Sequence, residues 1–401
     1  MHRKTTISLL LASLSLLVAC GGGGSGSADA TAATPTAYTY RVPTDRGDSW
    51  SVGNAADNGM DVGVLENMVN DIRAGQFDFI DSVVVVKNGA LILDETIRKT
   101  TDGEDGLVAN TNPAIHRQFS ASKSVMSLVV GIAIDDGFIA DVSVPYLNLF
   151  PYPAYANWDS RKNDITLEDV LAMRLGLAWD EWDPPYTSTQ NQLIKFYNEN
   201  VDLTKGLLDL PLAEDPGSIF SYNTVATITL GQAVENAVPM SLLDYSINEL
   251  LLPLGIVDLE FLSTPTGLPN TGSSLYFRTR DMAKFGQLVL DGGLWNGQRI
   301  VSEAWIAASM MPLSNMTWTN PEEWDWQIDG YGYQWWLGHY DLDGEQLDAY
   351  VAWGFGGQWI VAIPARGLVV AVNSHGYQGE DEATNQGHAL ISRYILEAIS
   401  N

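Results

Sequence analysis

The chain has 401 residues, 46% of them hydrophobic, enough to bury a large core as one big domain or two interlocked ones. Its 49 acidic residues outweigh 21 basic ones and set the formal charge at −28. A phosphate backbone or an anionic lipid surface would be repelled, which disfavours nucleic-acid binding and points to a solvated surface.

Met1–Lys4 carries Arg3 and Lys4, and Ile7 to Ala19 is an apolar stretch too short to span a bilayer. Residues 1–19 therefore read as a signal peptide. Leu17-Val18-Ala19-Cys20 resembles the bacterial lipobox, in which the cysteine is lipidated and becomes the first residue. Cys20 is the single cysteine of the chain, so it has no intramolecular disulfide partner. The Gly/Ser- and Ala/Thr-rich sequence that follows reads as a flexible tether over residues 20–38. The expectation is an exported lipoprotein, and by resemblance to bacterial lipoproteins Gly21 favours the outer membrane.

The remainder, 39–401, starts as a strand–helix pattern. Val83–Val86 and Leu91–Leu93 flank Lys87-Asn88-Gly89, an Asn-Gly hairpin signal. Val125–Ile134, Ile165–Met173 and Ile228–Val238 predict helices, the first of them buried and closed by Asp135-Asp136-Gly137. Tyr331–Leu337, Ala349–Trp353, Trp359–Ile363 and Leu368–Val372 predict an antiparallel meander, and Ala383–Ile399 a closing helix. The pattern is α/β of the α+β type. One antiparallel sheet is built from both chain ends and flanked by helices, with a mostly helical insert at roughly 140–275. Trp318, Trp324 and Trp326, near Asp325, would wall an aromatic cleft or pack a long loop.

Ser120-Ala121-Ser122-Lys123 begins the first buried helix. Spacing of i to i+3 sets the hydroxyl and the amine on one face, one turn apart. A serine hydroxyl is a poor nucleophile until a base takes its proton, and a lysine can do so when desolvation depresses its pKa. The helix N-terminus adds a positive dipole end that favours a developing oxyanion. Tyr222, in Ser221-Tyr222-Asn223-Thr224, is a phenol whose pKa a nearby lysine cation would lower toward the working range. Gly354-Phe355-Gly356-Gly357 lies between two predicted strands, where glycines permit close approach of a substrate backbone. Read alone, each has a plain structural role: Ser120 a helix cap, Lys123 a snorkelling side chain, Tyr222 a core tyrosine, the glycines a bulge.

In this order and with these spacings, the three segments resemble the penicillin-binding-protein-like serine hydrolases. The nearest branch is that related to class C β-lactamases, which includes esterases, D-amino-acid amidases and 6-aminohexanoate-dimer hydrolases. Ile165–Leu177, Arg280–Gly286 and Tyr331–Trp336 are similar to further family landmarks, so the resemblance runs from about Asp81 to the C-terminus. It implies a β-lactamase/transpeptidase-like fold and an acyl-enzyme on Ser120, with Lys123 and Tyr222 exchanging its proton. It further implies an oxyanion hole from the N–H groups of Ser120 and Gly357, and substrate contacts from Asn223 and Gly356. Thr224 stands where the family's tyrosine motif often ends in Asn. The third motif of true β-lactamases, Lys-Thr-Gly, is missing, since no lysine follows Lys284. The expected activity is hydrolysis of a small ester or amide. A β-lactamase or DD-peptidase, or an idle binder of cell-wall peptides, is the alternative. No Gly-x-Ser-x-Gly occurs, and the five histidines show no metal-ligand spacing, so neither an α/β-hydrolase nor a metal or other cofactor is expected. The oligomeric state is left open.

Overall fold

The computed structural model describes residues 37–98, 114–314, 326–377 and 381–399. Cys20 and the tether up to Thr36, and with them Trp318, Trp324 and Asp325, lie outside the described residues; Tyr38, expected at the end of the tether, is buried in the core. A compact unit begins at Ala37.

Eight strands form one sheet in the order Ser51–Val52, Ala90–Thr96, Ile80–Lys87, Leu368–Ser374, Gln358–Ile363, Glu345–Gly354, Trp336–Leu342, Gln327–Tyr331. All neighbours are antiparallel except the first pair. The sheet is thus built from both ends of the chain, as the pattern predicts. The hairpin falls where Asn-Gly marks it: Asn88 and Gly89 have φ of 52° and 79°, the left-handed pair that a two-residue turn with matching twist requires. Every residue of Ile80–Lys87 is buried, because both faces of this central strand are covered.

Two helices show how the faces are covered. Thr279–Leu290 presents Gly286 to Ile360 and Val369, and a Cβ there would come within 2.6 Å of Val369. On the other face, Asp381–Leu390 brings Gly387 against Trp359. Residues 359 and 360 point oppositely along their strand, so each helix meets its own face. Trp326 is fully buried there, stacked on His388 at 4.8 Å and edge-on to Trp359 at 6.2 Å. It packs the core and walls no cleft.

The helical region runs between His116–Arg117 and Leu275–Phe277, strands of a separate three-stranded sheet. These two short strands pair, Arg117 opposite Tyr276, and tie the ends of the insert together beside the nucleophile. The main helices are Ser122–Asp135 and Thr224–Ala237. The second begins four residues earlier than its apolar run predicts, because Asn223 caps it by accepting the Ala226 N–H at 2.9 Å. The predicted helix over Ile165–Met173 shortens to Leu167–Leu171, opened by a Thr166–Asp169 capping box. Tyr331–Leu337 is not one strand. It breaks at Gly332–Trp335, with Gln334 at φ 64°. The buried Gln334 side chain bonds Leu171 O and Thr227 Oγ1, and its carbonyl accepts from Ser124. That knot joins both main helices to the sheet at the expense of strand continuity. The closing segment is a helix to Leu390 followed by a wider π-type turn, Ile391–Ile395.

Candidate active site

Ser120 lies in the short 3-10 turn Phe119–Ala121 that leads into the helix Ser122–Asp135. Phe119 has φ 44°, a left-handed conformation that costs a bulky side chain about 1–2 kcal/mol. Contacts hold it there: its ring packs under the Arg117 guanidinium (4.4 Å) and against Phe355 (5.6 Å) and Tyr377 (5.5 Å). The strain turns the next residue, Ser120, out of the run of buried residues that follows it.

Residues Ser122–Ala133 are all buried, Lys123 among them at 1% exposure. Its Nζ lies 3.1 Å from Ser120 Oγ, 2.9 Å from Thr224 Oγ1 and 2.8 Å from Gly272 O. Burial depresses its pKa to about 7, with the Glu181 charge opposing. Near neutral pH a large share of the amine is therefore uncharged, with a lone pair available to Ser120.

Thr224 links Lys123 to a carboxylate that sequence reasoning missed. Its hydroxyl donates to Glu181, and its N–H reaches Glu181 Oε2 at 2.5 Å. Glu181 is buried and also accepts from Trp179 Nε1 (3.2 Å) and Tyr186 Oη (2.8 Å). In the sequence it sits in Trp179-Asp-Glu-Trp-Asp183, which reads as any acidic surface loop. Thr224, which appears in sequence as a departure from a motif, is the residue that holds the lysine.

Tyr222 is brought to the same place by the turn before Thr224–Ala237. Its ring is sandwiched between Trp182 (5.3 Å) and Trp336 (5.6 Å), and Lys123 Nζ stands 4.9 Å from the ring centre. The expected lowering of its pKa is not found. Burial, then the Glu181 charge, push the phenol well above its usual value, and the Ser120 hydroxyl opposes only in part. Since Lys123 is itself pushed toward neutrality, there is little fixed cation to stabilise a phenolate. Tyr222 is a neutral phenol, a donor.

The glycine turn is committed largely to the chain's own backbone. Gly354 does permit close approach, but to the chain itself: a Cβ there would meet Gln118 O at 2.2 Å, which seats the strand end against the nucleophile turn. Gly357 N–H is bonded to Gly354 O at 3.2 Å and closes the turn. Gly356 faces Tyr377, and its carbonyl accepts the Gly376 N–H at 3.1 Å, so it also supports the turn. Phe355 N–H, between them, makes no hydrogen bond among the described residues. Asn223 Oδ1 is committed to the helix cap, while its Nδ2, the atom that could donate to a substrate carbonyl, makes no hydrogen bond among the described residues. Beneath the turn, Asn373 Nδ2 donates to Gln358 Oε1 (2.7 Å), and Gln358 Nε2 to Ser374 O (2.6 Å), which fixes it from below. Among the described residues no group of three or more His, Cys, Asp or Glu side chains could hold a metal ion.

A mixed sheet covered by helices, with serine, lysine and tyrosine side chains gathered where the helical insert meets the sheet, defines a β-lactamase-like hydrolase. The profile of the Beta-lactamase family matches residues 80–393, and the chain belongs to that family. Over 291 residues it is 25% identical to the 6-aminohexanoate-dimer hydrolase of Paenarthrobacter ureafaciens, covering 70% of this chain and 71% of that one. Similar solved structures include an octameric penicillin-binding protein homologue from Pyrococcus abyssi (TM-score 0.61, 19% identity, 85% of this chain and 78% of that one). Another is a family VIII carboxylesterase (TM-score 0.60, 16% identity, 84% and 98%).

Proposed function

We propose that the protein is a serine hydrolase that works through an acyl-enzyme on Ser120 and takes a small ester or amide. One observation carries this reading: a fully buried lysine amine, brought near neutrality, 3.1 Å from the hydroxyl. Uncharged Lys123 takes the Ser120 proton as Oγ attacks the substrate carbonyl. The oxyanion is held by the Ser120 N–H, at the mouth of the Ser122–Asp135 helix, and by Phe355 N–H in place of Gly357. The Tyr222 phenol then gives its proton to the leaving atom and is reprotonated from Lys123. Water releases the acyl group by the reverse traffic. The amide activity of the 25% identical relative supports the amide arm, and the missing lysine of the third motif argues against β-lactams. Intact-mass spectrometry after a fluorophosphonate should show one adduct on the Ser120 peptide; labelling elsewhere, or undiminished turnover by Ser120→Ala, refutes the mechanism.

The N-terminal pattern supports a cell-envelope site of action, with the mature protein anchored through a lipid on Cys20. A fatty-acid analogue fed to cells should tag the protein, and Cys20→Ala should abolish the tag and release it from membranes.

A further inference from the structure

In a chain with 49 acidic residues against 21 basic ones, an arginine without a carboxylate needs a reason. Arg46, Arg73, Arg161, Arg280 and Arg366 are all ion-paired. Arg117, three residues before Ser120 and half-buried, has no carboxylate partner among the described residues. Its Nε donates to Ser273 O at 2.9 Å and one Nη to Ser274 Oγ at 3.0 Å, while its plane rests on Phe119. These bonds use two of the five N–H groups of a guanidinium fork.

The surroundings place that fork at the cleft. Ser273 O, which holds Arg117, is the carbonyl next in chain to Gly272 O, which holds Lys123. One loop therefore anchors both basic side chains through adjacent carbonyls. Tyr197 Oη belongs to the same rim, 3.4 Å from Asn270 Nδ2; burial raises its pKa, and the Arg117 charge opposes that rise. The carboxylate nearby, Glu181, is held by donors from Thr224, Trp179 and Tyr186 and makes no ion pair with Arg117. What remains is a half-buried guanidinium, three residues before the nucleophile, with three N–H groups that no described residue accepts. A planar fork in this state matches a carboxylate.

We propose that Arg117, with Ser274 Oγ and Tyr197 Oη beside it, forms an anion subsite that receives a carboxylate carried by the ester or amide substrate. The inference rests on the serine-hydrolase reading and narrows its substrate class to anionic molecules. The cation comes from the nucleophile wall, not from the strand edge where a Lys-Thr-Gly motif would supply it.

The test compares p-nitrophenyl valerate with mono-p-nitrophenyl glutarate, which is anionic on the acyl side, and phenyl valerate with 4-carboxyphenyl valerate, which is anionic on the leaving group. The full-length protein should prefer one anionic ester over its neutral counterpart by at least tenfold in kcat/KM, mainly through KM. Arg117→Gln should cut that ratio at least tenfold, and Arg117→Lys should restore part of it. Using the ratio removes any general damage to the Phe119 turn. No preference in the unaltered protein, or a preference that survives Arg117→Gln, overturns the subsite. Should no ester be turned over and no adduct form on Ser120, the hydrolase reading fails separately. Calorimetric titration of the Ser120→Ala protein with monomethyl glutarate then decides the subsite: binding lost on Arg117→Gln sustains it, and no binding overturns it.

Discussion

Two helices of this protein each bury a lysine at the same spacing from a polar partner, and they use it in opposite ways. In Ser122–Asp135 the residue three positions before Lys123 is Ser120; in Thr279–Leu290 the residue three before Lys284 is Asp281. Lys284 is 0% exposed, like Lys123 nearly so, but its Nζ sits 2.8 Å from the Asp281 carboxylate and 3.2 Å from Gly255 O. Nearby, Arg280 grips Asp48 through two nitrogens and Asp94 through a third. That helix is a charged clamp between the sheet and the loops around it. Lys123 has no carboxylate in contact, only a hydroxyl, a second hydroxyl and a carbonyl. Burial alone does not make a lysine a base; burial without an anion in contact does, because only then is the neutral form favoured.

The comparison breaks most visibly by deleting each lysine. Lys123→Ala should abolish turnover of both esters and amides, a loss of 10³-fold or more in kcat, by the usual cost of removing a general base. Lys123→Arg should not rescue it, because a guanidinium cannot give up its proton near neutral pH. Lys284→Met should do the reverse, leaving kcat per folded molecule in place while stability falls by about 3–5 kcal/mol, since Asp281 is then buried without its cation. Denaturant titration beside an ester assay reads both; loss of activity in folded Lys284→Met protein would erase the distinction.

A second cut separates Lys123 from Tyr222. A neutral phenol donates to the leaving atom, and an amide nitrogen needs that proton whereas a nitrophenolate does not. Tyr222→Phe should therefore cost about 10²-fold in kcat on an amide and only a few-fold on a p-nitrophenyl ester. Equal losses on both would make Tyr222 the base, contrary to its raised pKa.

The Asn88-Gly89 turn and the buried central strand were legible in the sequence because they depend on local rules, left-handed turn residues and continuous apolar runs. Ser120 and Lys123 were legible because three residues of spacing fix their meeting on any helix. Glu181, Arg117 and Phe355 were not. Glu181 reaches Thr224 from 43 positions away in a loop with no periodicity, and Arg117 gains meaning only from the Ser273 carbonyl 156 positions on. The turn bond of Gly357 was hidden for the same reason. A run of glycines announces a tight turn but not which N–H the turn consumes, and that choice follows from how Gly354 seats on Gln118 O. Tyr222 was placed correctly, but its protonation was misjudged, because the sandwich of Trp182 and Trp336 that buries it comes from two distant segments.

The smallest effect is the most specific to the contrast between the two lysines. If Lys123 acts neutral, kcat/KM should rise with pH through about 7 as the amine loses its proton. Its folded pKa lies below the unfolded value of 10.5. Between about pH 7 and 10.5 the unfolded chain therefore binds a proton that the folded one does not, and its contribution to stability grows as pH rises through that window. Below about 7 both states are protonated, and the burial penalty on the ammonium is felt in full. The charge of Glu181 holds the Lys123 pKa up against burial, so Glu181→Gln removes a stabiliser of the ammonium. The acid limb of the kcat/KM profile should then move to lower pH, by roughly one unit or less, since Thr224 stands between the two groups and the glutamine oxygen can still accept from the Thr224 hydroxyl. Lys284→Met should leave that limb where it is, because Lys284 pairs with Asp281 on another helix and is not among the contacts of Lys123. A limb that stays fixed in Glu181→Gln, or moves to higher pH, would mean that the titrating group is not Lys123.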